Sequence, residues 1–177
     1  MDPKAIFLDR DGVLNESIVC EGIPYPPRNI AELVIADDVF SALHSLKAMG
    51  YWLIVVTNQP DVSRGTCSKS VIETINQVLM DRLPLDEVKV CYHDNADKCS
   101  CRKPAPGMLL DAAAEYQLHL EQCVMIGDRW RDIEAGHNAG CKTILLQKII
   151  LDEPLRRSPD FIASSLTNAV KWIKEYL

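Results

Sequence analysis

The polar residues best able to do chemistry stand directly after short apolar runs. Asp9-Arg10-Asp11-Gly12 follows Ala5-Ile6-Phe7-Leu8, Thr57-Asn58-Gln59 follows Trp52 to Val56, and Gly127-Asp128-Arg129 follows Cys123 to Ile126. Lys103 lies in a polar stretch beyond Val88 to Tyr92. If the runs are neighbouring strands, their tips are ~4.8 Å apart and these groups can converge on one small volume. Several aspartates at one point repel one another unless a cation joins them, and hard oxygen ligands beside a phosphate suit Mg²⁺. Lys103, Thr57 and Asn58 supply donors for phosphoryl oxygens. The chemistry that fits is attack on phosphorus by a carboxylate, giving an aspartyl-phosphate that water hydrolyses. A carboxyl of ordinary pKa ~3.9 is ionised at neutral pH and needs no activating base. The leaving alkoxide does need a proton, so Asp9 and Asp11 can divide the roles of nucleophile and acid/base.

Asp-x-Asp-Gly alone is also a common turn or calcium-loop fragment. An EF-hand places a glutamate at loop position twelve. Counted from Asp9 that position is Cys20, so the calcium reading fails. The joint pattern over four run ends is the specific signal.

A second cluster is local. Cys91-Tyr92-His93 and Cys99-Ser100-Cys101 offer three thiolates and one imidazole, a set suited to tetrahedral Zn²⁺. Filling all four positions from protein makes a closed, structural site. Its soft and borderline ligands need not compete with the oxygens for the same metal. Such a site would pin a loop whose next residues are Arg102 and Lys103.

The elements that position these groups alternate. Apolar spacing predicts helices over 38–49, 68–83, 106–117, 131–139 and about 166–176, and strands at 5–8, 52–56, 88–92, 123–126, 143–146 and near Phe161-Ile162. Gly50 and Gly140 stand as helix stops, Pro106 opens a helix, and either Ser68 or Ser70 starts the second one. Strands alternating with helices predict a Rossmann-like parallel sheet covered on both faces, an α/β fold whose ligands bind beyond the carboxyl ends of the strands. The long connections 12–37 and 95–105 follow such ends, and the proline-rich Cys20 to Arg28 is expected to line the mouth of the site. Trp52 is expected in the core and Trp130 in packing, while His44, His119 and His137 read as structural or solvated.

The 177 residues fit one domain spanning 1–177, without repeats. A net charge of −6 argues against a general nucleic-acid or anionic-membrane binder. No apolar run approaches the ~20 residues of a membrane span. The first residues do not read as a signal peptide, and the odd count of seven cysteines suits a reducing compartment. A cytoplasmic protein, monomeric, acting on a small phosphorylated metabolite is expected.

Phe7 to Asn15, Val56 to Gln59, Cys101-Arg102-Lys103-Pro104 and Gly127 to Asp132 resemble the four motifs of the haloacid dehalogenase-like (HAD) phosphatases, in order over roughly residues 4–147. More narrowly, the Cys-x-His and Cys-x-Cys pairs are similar to those of the heptose 1,7-bisphosphate phosphatases and the related histidinol-phosphate phosphatases. The resemblance implies a minimal cap, Asp9 as nucleophile and Asp11 as general acid/base. Thr57, Asn58 and Lys103 would hold the phosphoryl group. Mg²⁺ would be bound by the Asp9 side chain, the Asp11 backbone carbonyl and Asp128. Zn²⁺ would be bound by Cys91, His93, Cys99 and Cys101. Arg102 would recognise substrate and Arg129 would contact it, with Arg10 and Gln59 as further substrate contacts. Arg64 is a weaker candidate, and Asp132 either orients Lys103 or a metal-bound water or simply starts a helix.

Removal of the 7-phosphate of the heptose bisphosphate is the implied reaction, with histidinol phosphate the alternative. A receiver-type phospho-acceptor would carry its aspartate on the third strand and no zinc loop. A zinc-stabilised scaffold without catalysis would lack the nucleophile or the acid. The motif order and content here disfavour both.

Overall fold

The computed structural model describes residues 3–20, 23–147 and 154–177. Six strands form one parallel sheet: β1 (Ala5–Leu8), β4 (Trp52–Asn58), β5 (Glu87–Cys91), β6 (Val124–Gly127), β7 (Lys142–Leu146) and β8 (Phe161–Ala163). The remaining two, β2 (Ile18–Cys20) and β3 (Ile23–Tyr25), make an antiparallel hairpin. The helices are α1 (Val39–Ala48), α2 (Lys69–Arg82), α3 (Gly107–Tyr116), α4 (Trp130–Ala139) and α5 (Leu166–Tyr176).

The sheet order is β5-β4-β1-β6-β7-β8. The chain builds outward from β1 on one side, then returns to build outward on the other. Beyond the carboxyl end of β1 the crossovers therefore diverge and leave a crevice. Strand residues alternate between two cores. Ile6, Leu8, Leu53 and Val55 face a layer that includes Leu43, Leu79 and Ile173, whereas Ala5, Phe7, Ile54 and Val56 face Met108, Leu109 and Ala135. Because β1 is fully buried on both faces, it reads as an unbroken apolar run. The Ser68 side chain accepts from Val71 N, which makes it the N-cap of α2.

Two expectations need correction. The β2–β3 hairpin occupies part of the stretch read as loop, since three-residue strands are too short to show alternation. Within that stretch Glu21 and Gly22 lie outside the described residues. Trp52 is 38% exposed, not core. It begins β4, where its ring packs on Tyr116 with centroids 4.7 Å apart. Trp130 is buried, as packing requires, with the guanidinium carbons of Arg131 and Arg156 at 4.5 and 3.8 Å from its ring centroid. Among the described residues no helix is long and apolar enough to cross a membrane.

Candidate active site and metal loop

The crevice beyond β1 holds a cavity of about 270 Å³ lined by polar side chains from four strand ends. Asp9 is the first residue past β1, and its amide donates to Ile126 O at 2.9 Å, so the β1–β6 pairing reaches into the site. Gly12 has φ +88°, and a β-carbon there would run into the Asp128 carboxylate. A β-carbon on Gly127 would likewise run into Asp132. Glycine at 12 lets two acidic segments more than a hundred residues apart touch, and glycine at 127 lets the chain close back on Asp132 five residues later.

Lys103 is the hub. It is 2% exposed, and its Nζ makes ion pairs with Asp9 Oδ1 at 2.9 Å and Asp132 Oδ1 at 2.6 Å. Burial works against its charge, but Asp132 and then Asp9 outweigh burial and raise its pKa. Burial lifts the Asp9 carboxyl to about 6, Lys103 opposing and Asp132 reinforcing the rise. Asp128 is lifted to about 8, by burial first and then by Asp9 and Asp132.

The carboxylates of Asp9, Asp128 and Asp132 can offer oxygens within 4.8 Å of one another. Asp132 has both oxygens engaged, one with Lys103 and the other accepting from Arg129 N at 3.0 Å. Asp128 Oδ1 is shielded from solvent and has no hydrogen-bond partner among the described residues. A buried carboxylate oxygen without a partner, beside a second carboxylate, fits a hard divalent cation. The residues present therefore suit Mg²⁺, with Asp9 and Asp128 the side chains placed to hold it.

The other expected site residues divide. Thr57 is buried at the cavity wall, and its Oγ1 accepts from Gln59 Nε2 at 3.0 Å, leaving its own hydrogen for a ligand. Gln59 also donates to Asp11 Oδ2 at 2.8 Å, so its amide group orients two site residues. Asn58 lines the cavity and pairs reciprocally with the Lys103 backbone, at 3.0 and 3.1 Å. The Asp11 carboxylate lines the cavity but stands apart from the acidic cluster, facing Arg10, Asn15 and Gln59. Its backbone carbonyl is the group that the family resemblance assigns to the metal.

Arg10 as a substrate contact is corrected. Its side chain is fully buried, absent from the cavity lining, and engaged with Asp11 at 2.9 Å and Asn76 Oδ1 at 2.9 Å. Side-chain direction at a strand end decides this, and the order of residues does not reveal it.

Arg64, Arg102 and Arg129 all reach the cavity wall, joined by Tyr25, Pro26, Asp61 and Arg131, which sequence reasoning did not single out as site residues. Arg131 had a signal, lying two positions after Arg129 in the first turn of α4. Tyr25 and Pro26 come from the hairpin and meet the expectation that this stretch lines the mouth. His44 and His137 bond backbone carbonyls outside the cavity, at Phe40 and Ser158.

Cys91, His93, Cys99 and Cys101 converge beyond β5. The sulfurs lie 3.0 to 3.7 Å apart, and His93 Nδ1 is 3.3 Å from Cys101 Sγ and 3.6 Å from Cys91 Sγ. A tetrahedral site with ~2.3 Å metal–sulfur bonds has edges of about 3.8 Å, so the cluster is close to that size. Strand pairing fixes it to the active site: Cys91 sits opposite Asn58, and Gln59 N donates to Cys91 O at 2.8 Å. The cluster is able to hold a metal ion.

The geometry can be set beside known proteins. A HAD-hydrolase-like family model matches residues 100–169. The D-glycero-beta-D-manno-heptose-1,7-bisphosphate 7-phosphatase of Helicobacter pylori strain J99 is 34% identical over 97% of both chains. The enzyme of that name from Pasteurella multocida is 36% identical over 97% of both. Among solved structures, the D,D-heptose 1,7-bisphosphate phosphatase from B. bronchiseptica, complexed with magnesium and phosphate, superposes with a TM-score of 0.82 at 25% identity over 99% of both chains.

Proposed function

Because this chain belongs to the haloacid dehalogenase-like phosphatases, which are phosphoric monoester hydrolases that use Mg²⁺, we propose that it removes the 7-phosphate from D-glycero-β-D-manno-heptose 1,7-bisphosphate. The observation that carries this reading is the buried Asp9–Lys103–Asp132 chain beside an Asp128 oxygen with no hydrogen-bond partner among the described residues, at the point where the strand order reverses.

Asp9 is the nucleophile. Its Oδ1 accepts from Arg10 N at 2.8 Å and pairs with Lys103 at 2.9 Å, whereas Oδ2 makes no hydrogen bond among the described residues. Oδ2 is the atom that attacks phosphorus, and Oδ1 is the handle that fixes its direction. The Oδ2–P bond forms as the bond from phosphorus to the sugar oxygen breaks. Asp11, on the same cavity wall, gives the departing oxygen its proton and then takes one from the water that hydrolyses the aspartyl-phosphate. Lys103 Nζ and the Thr57 hydroxyl face the charge that builds on the transferring group. Asn58 holds the Lys103 backbone, and Asp132 keeps the ammonium charged and in place. Asp9, the Asp11 carbonyl and Asp128 would hold Mg²⁺, which when bound would supply charge neutralisation at the phosphoryl oxygens.

Arg102 and Arg129 recognise the second phosphate. Cys91, His93, Cys99 and Cys101 would hold Zn²⁺ as a closed structural site. Three unbridged cysteines at one point also favour a reducing compartment such as the cytoplasm.

Steady-state kinetics with the heptose bisphosphate, histidinol phosphate and simple sugar monophosphates test the assignment. The bisphosphate should have the highest kcat/KM, by at least about tenfold, or ~1.4 kcal/mol in transition-state binding. A preference for histidinol phosphate would overturn the substrate.

A further inference from the structure

The segment between the Cys91-x-His93 and Cys99-x-Cys101 pairs has only five residues, Asp94 to Lys98. Two of them hold arginines of the active-site cavity. Asp94 accepts a two-pronged contact from Arg64, Nε at 2.9 Å to Oδ2 and Nη2 at 2.8 Å to Oδ1. Asn95 Oδ1 accepts from Arg102 Nε at 2.9 Å, while Arg102 Nη1 donates to the carbonyl of His93 at 3.1 Å and Nη2 lies 4.0 Å from Asp94 Oδ1. The segment is itself fixed. Asp94 N donates to Asp97 Oδ2 at 2.7 Å, and the Asp94 side chain accepts from Asn95 N at 2.7 Å.

A guanidinium has five N–H donors in one plane. Anchoring Arg102 by Nε and one Nη1 proton leaves three donors for a ligand, with the plane already set. Arg64, held by Nε and Nη2 on Asp94 and weakly by Nη1 on Asp61 at 3.5 Å, keeps two. Both arginines line the cavity that holds Asp9. An arginine oriented before binding loses little side-chain freedom when it grips an anion, and that saving appears as affinity. Neither Asp94 nor Asn95 lines the cavity.

We propose that Asp94 and Asn95 are positioning residues that aim Arg64 and Arg102 at the non-reacting anionic group of the substrate, so that the short loop between the metal-binding pairs sets selectivity for a bisphosphate over a monophosphate. This rests on the reading of Arg102 as a contact to the second phosphate. The tether acts on affinity for that group and leaves the Asp9 chemistry alone.

The experiment compares KM and kcat for the heptose 1,7-bisphosphate and the heptose 7-phosphate in the holoenzyme and three variants. Asn95→Ala should raise KM for the bisphosphate about tenfold with kcat within about twofold, and leave the 7-phosphate unchanged. Asn95→Asp keeps an acceptor for Arg102 Nε and should restore the selectivity. Asp94→Asn keeps an oxygen for the Asn95 amide but loses the charge that grips Arg64, and should show a smaller selective rise in KM. Bound metal and melting temperature are measured on each protein. Unchanged selectivity in a metal-loaded Asn95→Ala overturns the proposal. So does an equal loss on both substrates, or a loss that Asn95→Asp fails to rescue, because a structural role alone predicts those results. If the wild-type enzyme itself does not prefer the bisphosphate, the reading of Arg102 fails and the proposal falls with it.

Discussion

Two clusters of side chains able to hold a metal ion meet near residues 101–103, and they are built in opposite ways. The cysteine–histidine loop gathers four ligands within eleven positions, on a rim where only Cys91 is buried. The acidic site gathers Asp9, Lys103, Asp128 and Asp132 from the segments that follow three different strands, and its members are largely shielded from solvent. The first closes with little long-range order. The second exists only once the sheet is formed, and it concentrates like charges that the fold alone leaves in tension. Burial lifts Asp9 to about 6 and Asp128 to about 8, with neighbouring carboxylates adding to the rise. A local, soft-ligand site is thus suited to hold a loop in place, and an assembled, hard-ligand site to hold a reacting phosphate.

The contrast breaks most sharply at Asp9. Asp9→Asn should reduce turnover on the order of 10⁴-fold or more while leaving the melting temperature and the metal content of the cysteine loop close to wild type. Undiminished hydrolysis by that variant would remove the nucleophile. Lys103→Met is next. It should cut kcat roughly 10²- to 10³-fold, as loss of a donor to the developing charge does. It also leaves Asp9 and Asp132 buried without their cation, a loss of about 3–5 kcal/mol that denaturant titration would register. An undisturbed unfolding midpoint would mean that the ion pairs contribute nothing.

Stripping metal from the cysteine–histidine loop should lower the melting temperature and speed hydrogen exchange chiefly over residues 91–103, with about one equivalent of zinc recovered per chain. Uniform loosening across the whole molecule would show that the loop is not a separate staple.

The smallest effect is the dependence on pH. Free carboxyls titrate near 3.9 in the unfolded chain, whereas Asp9 and Asp128 hold their protons to about 6 and about 8. Between those limits the native, Mg²⁺-free protein binds more protons than the unfolded chain. Their contribution to stability is present below about pH 4 and is lost as pH rises through 6 and then 8. Mg²⁺ should therefore raise the melting temperature more at pH 8 than at pH 5. Equal shifts at both would show that the cation does not relieve this site.

Particular residues show where sequence reasoning stopped. β1 was legible because four apolar residues run straight into Asp-x-Asp-Gly, and α5 because Leu166, Ala169, Val170 and Ile173 recur on one helical face. Boundaries of strands and helices move by one or two residues, since pairing partners fix the ends. The β2–β3 hairpin was illegible because its three-residue strands are too short to show a period. Arg10 and Trp52 went astray for one reason: at the end of a strand, the direction a side chain takes depends on what packs there. Arg10 turned inward to Asp11 and Asn76, and Trp52 turned out toward Tyr116.

Residue types and spacing by themselves determined the alternating α/β order, the four polar strand ends and the set of soft ligands, because these depend on periodicity and on the intrinsic chemistry of side chains. Only the tertiary structure decided that Lys103 bridges Asp9 and Asp132, that Asp128 keeps an oxygen without a hydrogen-bond partner among the described residues, and that Asp94 and Asn95 tether two cavity arginines. Those are relations of distance and burial between residues far apart in the chain. They come into being only when strand pairing brings the tips together and packing expels water from between them.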